Sequence, residues 1–274
     1  MKYVAPSAPQ PIGAVIDDAI RLFRASWQRC WYLAVIPGLA GLLVALALPA
    51  SIPGIARPTA QNILQIYASI FAPRIIGFYL LWLLVSIVFH GAVLAQEAAI
   101  AAGNESVSAA EAIGTGLRRL PWMILGGILF SVVVGIGFIA LVIPGIWLWG
   151  RLMLWTPALF VDNQNAIDGL GSSWHLTRGN WWRGTVIATV AIIIAVVLAL
   201  VFGFLGSTVA GIVIPLSPLD LRGRTVLTQS FSVVGNAVYI PLMAAMWIAI
   251  YRDFKLRREG GDLESRAAAL GGAV

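Results

Sequence analysis

Long apolar runs without any charged residue alternate with short polar segments along this chain. Five such runs cover residues 30–56, 75–96, 120–150, 184–219 and 225–251. A helix needs about 20 apolar residues to cross the hydrocarbon core of a bilayer, and each run is long enough. The pattern therefore predicts an all-α integral membrane protein that forms a single membrane domain over residues 1–274.

Turn signals divide these runs into six predicted spans. The dipeptide Pro144-Gly145 separates the third from the fourth, because proline and glycine together favour a turn. The fourth span is short and Arg151 interrupts it, so a count of five remains an alternative on the apolar pattern alone. The spans are predicted at roughly 30–50, 75–97, 121–142, 146–161, 184–208 and 227–251.

The distribution of positive charge favours six spans. With the N-terminus inside, the inner segments hold 13 of the 18 Lys and Arg residues, the outer loops hold four, and Arg151 lies within the membrane. Positive residues accumulate on the cytoplasmic side, so both termini are predicted to be cytoplasmic, with a tail at 253–274. In a membrane protein, the side on which the charges lie is more informative than the net charge of +6, and no nucleic-acid partner is expected.

Three inner segments share one plan: an acidic residue early, Arg late and Trp at the end. They are predicted as amphipathic interfacial helices at roughly 11–29, 107–119 and 165–181, which makes the chain three pseudo-repeated helix–span–span units. The alternative is that any interfacial helix before a span would look alike. Such helices bury an apolar face among headgroups and turn Arg towards phosphates. The expected partners are membrane lipids, including anionic headgroups, and another membrane protein.

Several chemistries lack their usual residues. Cys30 is the single cysteine, so neither an internal disulfide nor a Cys-rich metal site is expected. His90 and His175 have no HExxH or carboxylate motif to join them as metal ligands. No phosphate-binding glycine loop and no nucleophile motif is present, and no cleaved signal peptide is expected. We therefore expect no cofactor, no metal and no enzymatic activity.

Polar groups inside a membrane are costly and are by default functional candidates. Arg151 is predicted near the outer side, snorkelling outward or pairing with Asp220, and so apart from the helix at 165–181. Glu97 and Asp162 are predicted at the inner level, among arginines. Two interpretations stay open there: an ion-pair network that docks the interfacial helices, or a cavity for an anionic headgroup or a translocated solute. The candidate residues are His90, Glu97, Arg118, Arg119, Arg151, Asp162, Trp174, Arg178, Asn180 and Arg183.

Three stretches carry a family resemblance. They are IGAVIDDAIRLFRASW, PALFVDNQNAIDGLGSSWHLTRGNWWR and IYRDFKLRREGGDLE. On these motifs the chain resembles the membrane domain of glycerophosphoryl diester phosphodiesterases and its free-standing bacterial relatives. The resemblance implies a six-helix module of the bacterial plasma membrane. It does not imply hydrolysis, which in the fused enzymes belongs to a separate barrel domain of about 250 residues that this chain has no length to hold.

Two functional hypotheses follow from these patterns. The first is a non-enzymatic accessory protein that organises lipids or partner proteins. The alternative is a small transporter or permease-like subunit for an amphipathic or anionic solute, which the helix-breaking signals at Pro144-Gly145 and within 211–220 favour, because irregular backbone in a membrane lines cavities.

Overall fold

The computed structural model describes residues 3–47, 68, 71–216 and 221–271. This part of the chain contains helices and no strands, which confirms the all-α prediction. Five of the helices are long and apolar enough to cross a membrane: Ile12–Leu46, Pro73–Ala101, Ala109–Ala140, Trp181–Val213 and Gly223–Gly260. The helices are α1 (Ile12–Ala47), α2 (Pro73–Ala101), α3 (Ala109–Ala140), α4 (Val142–Leu152), α5 (Trp155–Val161), α6 (Ala166–Leu176), α7 (Trp181–Leu216) and α8 (Leu221–Gly271).

Local sequence explains several helix ends. Ser108 and Glu111 form a capping box at the start of α3, in which each side chain accepts from the backbone N–H of the other residue. Asn165 caps α6 by accepting from the backbone N–H of Asp168 at 2.9 Å. Such caps satisfy N–H groups that the first helical turn leaves without partners.

Two of the three predicted interfacial helices are not separate helices. Residues 12–29 and the described part of the first span, to Ala47, form the single helix α1, whose 36 residues extend over about 54 Å at 1.5 Å per residue. Residues 107–119 and the third span likewise join in α3, which passes through Pro121. Only the third, α6, stands alone. The predicted tail at 253–274 begins inside α8, which continues to Gly271; residues 272–274 lie outside the described chain.

The predicted fourth span is two short helices, α4 and α5, with a break at Met153 and Leu154. Side chains of α6 satisfy the backbone at this break. Ser173 Oγ donates to the carbonyl of Arg151 at 2.9 Å and accepts from the N–H of Leu154 at 3.0 Å. The Thr177 hydroxyl also lies 3.2 Å from the Arg151 carbonyl. Because buried backbone groups require partners, α6 makes this break tolerable inside the protein.

Together, α4 and α5 run back along α3. A Cβ added at Gly137 would lie 3.0 Å from the Cα of Gly145, and one added at Gly126 would lie 2.4 Å from the Trp155 ring. Further along, Arg119 donates to Asn163 Oδ1 at 2.6 Å. Between Gly137 and Arg119, α3 rises about 27 Å at 1.5 Å per residue. The segment 145–163 therefore retraces almost the whole apolar length of α3.

The long helices form antiparallel neighbours in the order α3, α2, α1, α8, α7. In each pair, residues later in one helix contact residues earlier in the other. The defining contacts are Gln96–Val107 and Val88–Gly116 for α2 and α3, Ser26–Glu97 and Pro37–Trp82 for α1 and α2, Gln10–Asp253 and Trp27–Ala237 for α1 and α8, and Gly184–Phe254 and Gly206–Phe231 for α7 and α8.

Burial is concentrated at one end of this bundle. Two apolar core clusters lie there, built from α1 between Val15 and Ala34, the second half of α2, α5, the first turns of α7 and the last apolar turns of α8. The remaining lengths of α2, α3 and α7 expose large apolar side chains, among them Leu80, Leu81, Ile139, Leu200 and Phe204. An exposed apolar surface of this extent marks an interface with membrane or protein, and with the five long apolar helices it identifies a membrane-embedded protein.

Candidate functional site

The side chain of Arg151 lies buried, at 8% exposure, between two tryptophans. Its guanidinium carbon lies 4.4 Å from the centre of the Trp174 ring and 5.5 Å from that of Trp147. Nη1 lies 3.5 Å from the Thr177 hydroxyl, and Nε has no hydrogen-bond partner. Among the described residues no carboxylate pairs with Arg151. Arg151 is therefore a buried cation whose charge is stabilised by the faces of aromatic rings.

The placement of Arg151 corrects the sequence-based expectation. Arg151 was expected near the outer side, away from the helix at 165–181, yet it contacts Trp174 and Thr177 of that very segment. The reason is the break between α4 and α5, which lets α6 pack back against both short helices. The predicted pairing with Asp220 falls on a residue outside the described chain.

Two further candidates lie in the turn that follows α6. Arg178 and Asn180 are exposed in the turn between α6 and α7, where Gly179 adopts a positive φ of 83°. Arg178 is close enough for its charge to act on Arg151. Trp181 donates its indole N–H to the carbonyl of Trp147 at 3.1 Å. We call Trp147, Arg151, Trp174 and Arg178 the arginine–tryptophan site.

The predicted inner cluster does not form one network. Glu97 is fully buried and accepts from the Ser26 hydroxyl at 2.9 Å, while its Oε2 has no partner. His90 Nδ1 lies 2.7 Å from the carbonyl of Ser86 on the same helix. In the described chain, Glu97 forms no ion pair. Glu97 therefore links α2 to α1 through Ser26, whereas His90 contacts the backbone of its own helix.

The remaining predicted arginines have separate partners. Arg118 is exposed, and its Nη2 donates to the Thr115 hydroxyl on the same helix at 3.2 Å. Arg119 holds the turn after α5, because it donates to the carbonyl of Gln164 at 2.8 Å as well as to Asn163. Arg183 instead joins a buried cluster around Asp253.

Asp253, at 4% exposure, ties three segments together. It accepts from the backbone N–H of Gln10 at 2.8 Å, from Arg183 Nη2 at 3.1 Å and from Arg257 Nε at 3.0 Å. Both arginines also donate to the carbonyl of Gln10. We call these four residues the Asp253 cluster; it fastens the segment before α1 to α7 and α8.

A second contact holds the same N-terminal segment. The Tyr3 hydroxyl donates to Asp18 at 2.9 Å. Burial, and after it the Asp18 carboxylate, raise the pKa of the Tyr3 phenol, so this donor keeps its proton at neutral pH.

An open cavity of about 320 Å³ lies where the turn after α5 meets α6 and α8. On its wall Asp162 accepts from the Tyr251 hydroxyl at 2.6 Å and from Lys255 Nζ at 2.7 Å. Arg258 Nη2 lies 3.0 Å from His175 Nε2. The lining residues are Asp162, Gln164, Gly171, Ser172, His175, Leu176, Tyr251, Lys255, Arg258 and Glu259. We call this the polar pocket.

Sequence reasoning predicted Asp162 but missed its partners. Tyr251, Lys255 and Arg258 follow the spacing i, i+4, i+7, which places three side chains on one face of a helix. That spacing was a usable signal, although only the fold brings this face to Asp162, 89 residues earlier. No group of three or more potential ligands within the described residues could hold a metal ion.

The fold and these sites define a class: an all-helical membrane-embedded protein with buried charge at one end of its helical bundle. A family model matches residues 29–254, from within α1 to within α8, and the chain belongs to that family, described as a domain of unknown function (DUF7847). No curated protein and no solved structure matches the chain.

Proposed function

We propose that this protein is a non-enzymatic multi-pass protein of the bacterial plasma membrane that binds anionic lipid headgroups and thereby organises lipids or a partner membrane protein. The observation that carries the proposal is the arginine–tryptophan site. A buried guanidinium without a carboxylate partner is expensive in a membrane protein. An anion that reaches the guanidinium would offset much of that cost.

The chemistry of Arg151 favours a phosphate. The two indole rings contact the guanidinium but leave Nε without an acceptor. Arg178 adds a second positive charge near enough to act on Arg151. Guanidinium groups bind phosphate through paired N–H donors in a fixed geometry, and adjoining tryptophans are typical of the headgroup region. An anionic phospholipid satisfies both requirements.

Helix directions support a topology of six crossings. Through α1, α2 and α3 the direction alternates, and it alternates again through α1, α8 and α7. Both α3 and α7 therefore point the same way as α1. If both cross the bilayer, the chain must return once between residues 140 and 181. The segment of α4 and α5 that retraces α3 for about 27 Å is the proposed return.

The same geometry supports the placement of the N-terminal and C-terminal segments of the chain on one side of the membrane. Gln10 lies before α1 and Asp253 lies after the apolar part of α8, yet they hydrogen bond at 2.8 Å. Arg183, Arg257 and Arg258 surround this end. Because positive residues accumulate on the cytoplasmic face, we assign it to the cytoplasm. The resemblance to the phosphodiesterase membrane domain belongs to the same proposal, as a shared membrane module without the hydrolase.

Transport is the second candidate, and the broken helix pair α4–α5 favours it. Discontinuous helices form substrate sites in transporters, and Arg151 lies immediately before the break. Against it, His90 and Glu97 do not line the polar pocket. Solute uptake into proteoliposomes that hold the purified protein, compared with protein-free vesicles, tests this candidate.

Native mass spectrometry of the purified protein tests the lipid proposal. From a mixture of phosphatidylglycerol and phosphatidylcholine, we expect retention of phosphatidylglycerol. A hydrogen bond to a charged group contributes about 1.5–3 kcal/mol, so Arg151→Met and Arg178→Ala should each lower retention about tenfold or more. Arg118→Ala removes an exposed arginine of α3 that is not part of the arginine–tryptophan site, and it serves as the matched control. Equal retention by all four proteins would contradict the proposal.

A further inference from the structure

The polar pocket keeps one unused donor and one unused acceptor. Arg258 Nε and Gln164 Oε1 are both buried, and neither has a hydrogen-bond partner. Both residues line the pocket. Buried polar groups in proteins are nearly always paired, so two unpaired groups on the wall of one cavity indicate a ligand that pairs with both.

Charge compensation on the wall is uneven. Lys255 is balanced by Asp162 at 2.7 Å and by Glu259 at 3.9 Å. Among the residues whose side chains are described, no carboxylate lies within ion-pair distance of Arg258, and the guanidinium contacts His175. The positive charge available to a ligand is therefore that of Arg258, with His175 beside it.

We propose that the polar pocket binds a phosphate ester that carries an amino group, with the phosphate on Arg258 and the ammonium N–H on Gln164. The fork of N–H donors on an arginine matches phosphate oxygens. The Gln164 carbonyl oxygen accepts from the ammonium, and the Glu259 carboxylate at the rim attracts it. This site is separate from the arginine–tryptophan site and extends beyond the function proposed above.

The position of the pocket on α6 supports that separation. Gly171, Ser172 and His175 face the pocket, whereas Ser173 and Thr177 face Arg151. The cavity volume of about 320 Å³ is at the small end of ligand pockets, which suits a headgroup-sized molecule. Gly171 has open space where a Cβ would stand, so the wall there leaves room for a ligand.

Calorimetric titration of the purified full-length protein with phosphoethanolamine and phosphocholine tests the proposal. The two esters share a phosphate, but the quaternary ammonium of phosphocholine has no N–H to donate. We expect tighter binding of phosphoethanolamine. Arg258→Gln should weaken both esters about tenfold or more, whereas Gln164→Leu should weaken phosphoethanolamine and leave phosphocholine unchanged.

Arg118→Gln is the matched control for Arg258→Gln, because it removes an exposed arginine away from the pocket. Absence of saturable phosphoethanolamine binding by the unaltered protein would overturn the proposal. So would an Arg258→Gln protein that binds as tightly as the Arg118→Gln control. Circular dichroism of each variant verifies that its helices are intact, and Gln164→Leu gives a second readout if Arg258→Gln does not fold.

Titration in lipid nanodiscs separates the two sources of this chemistry. If a lipid headgroup is the natural ligand, phosphatidylethanolamine nanodiscs should block soluble phosphoethanolamine and phosphatidylcholine nanodiscs should not. If a free ester is the ligand, both nanodiscs should allow equal binding. Either result supports the site. Weaker phosphatidylglycerol retention by the Arg178→Ala protein reports on the arginine–tryptophan site, not on the polar pocket. Failure of the lipid proposal is therefore distinguishable from failure of the pocket proposal.

Discussion

Two buried charges in this protein are accommodated in different ways. Asp253 accepts hydrogen bonds from the Gln10 backbone and from two arginines, so its carboxylate is paired on several sides. Arg151 is buried to a similar degree but contacts aromatic rings and one hydroxyl. A fully paired buried ion holds segments together, whereas a partly paired one remains available to a ligand. The Asp253 cluster is therefore structural, and the arginine–tryptophan site is the candidate for binding.

Asp253→Asn is expected to destabilise the protein by about 3–5 kcal/mol, because it leaves Arg183 without its buried counter-ion. Thermal unfolding of the purified variant measures the loss. Asp17→Asn changes an exposed aspartate of α1. Its free energy of unfolding should stay within about 0.5 kcal/mol of that of the unaltered protein, as is usual for surface substitutions. Equal stability of the two variants would show that the Asp253 cluster does not hold the N-terminal segment.

Helix contacts in this bundle depend on small residues at a few positions. A Cβ added at Gly116 would lie 2.4 Å from the carbonyl oxygen of Val88 and 3.0 Å from the N of Ala92. These are backbone atoms of α2, so the clash has no flexible side chain to relieve it. Close approach through glycine is typical of membrane helices, and here it lets α3 lie directly against α2.

Gly116→Ala should therefore separate α2 from α3 and destabilise the protein by about 1–3 kcal/mol, the usual cost of overpacking. Gly127→Ala on the same helix is the matched control, because nothing lies within 4 Å of its added Cβ. Alanine favours helix over glycine by up to about 1 kcal/mol, so Gly127→Ala should be neutral or stabilising. If both variants lost stability equally, the cause would be helix propensity or lipid contact and not the α2–α3 approach.

For the whole molecule, the directions of the long helices constrain the number of crossings. Because α3 and α7 point the same way, the six-crossing topology proposed above needs one return between them, and α4 with α5 is the segment that lies along α3. Five helices of the described chain are each long and apolar enough to cross a membrane. In the proposed topology, α4 and α5, which are separated by the break at Met153 and Leu154, together make the sixth crossing.

Single-cysteine labelling tests this topology, with Cys30→Ala as the background. Ala102→Cys, Leu141→Cys and Ile167→Cys introduce thiols at exposed positions after α2, after α3 and on α6. An impermeant maleimide added to intact cells should label Leu141→Cys alone, and permeabilisation should expose the other two. Labelling of Ile167→Cys together with Leu141→Cys in intact cells would mean that α4 and α5 do not cross.

The sequence by itself determined the class of the protein and most of its helices. Charge-free runs of 20 or more residues can satisfy their backbone in a membrane only as helices, so the five long helices followed from composition along the chain. The start of α6 was equally local, because Asn165 and Asp168 are neighbours in sequence. These features depend on interactions within a few residues, which a linear pattern records.

Tertiary structure alone decided the helix break and the sites. The break at Met153 exists because Ser173 supplies hydrogen bonds from another helix, and Arg151 meets Trp174 for the same reason. The polar pocket joins Asp162 to a face of α8 that lies 89 residues further along the chain. Such contacts are fixed by how helices pack in space, and no periodicity in the sequence records which faces will meet.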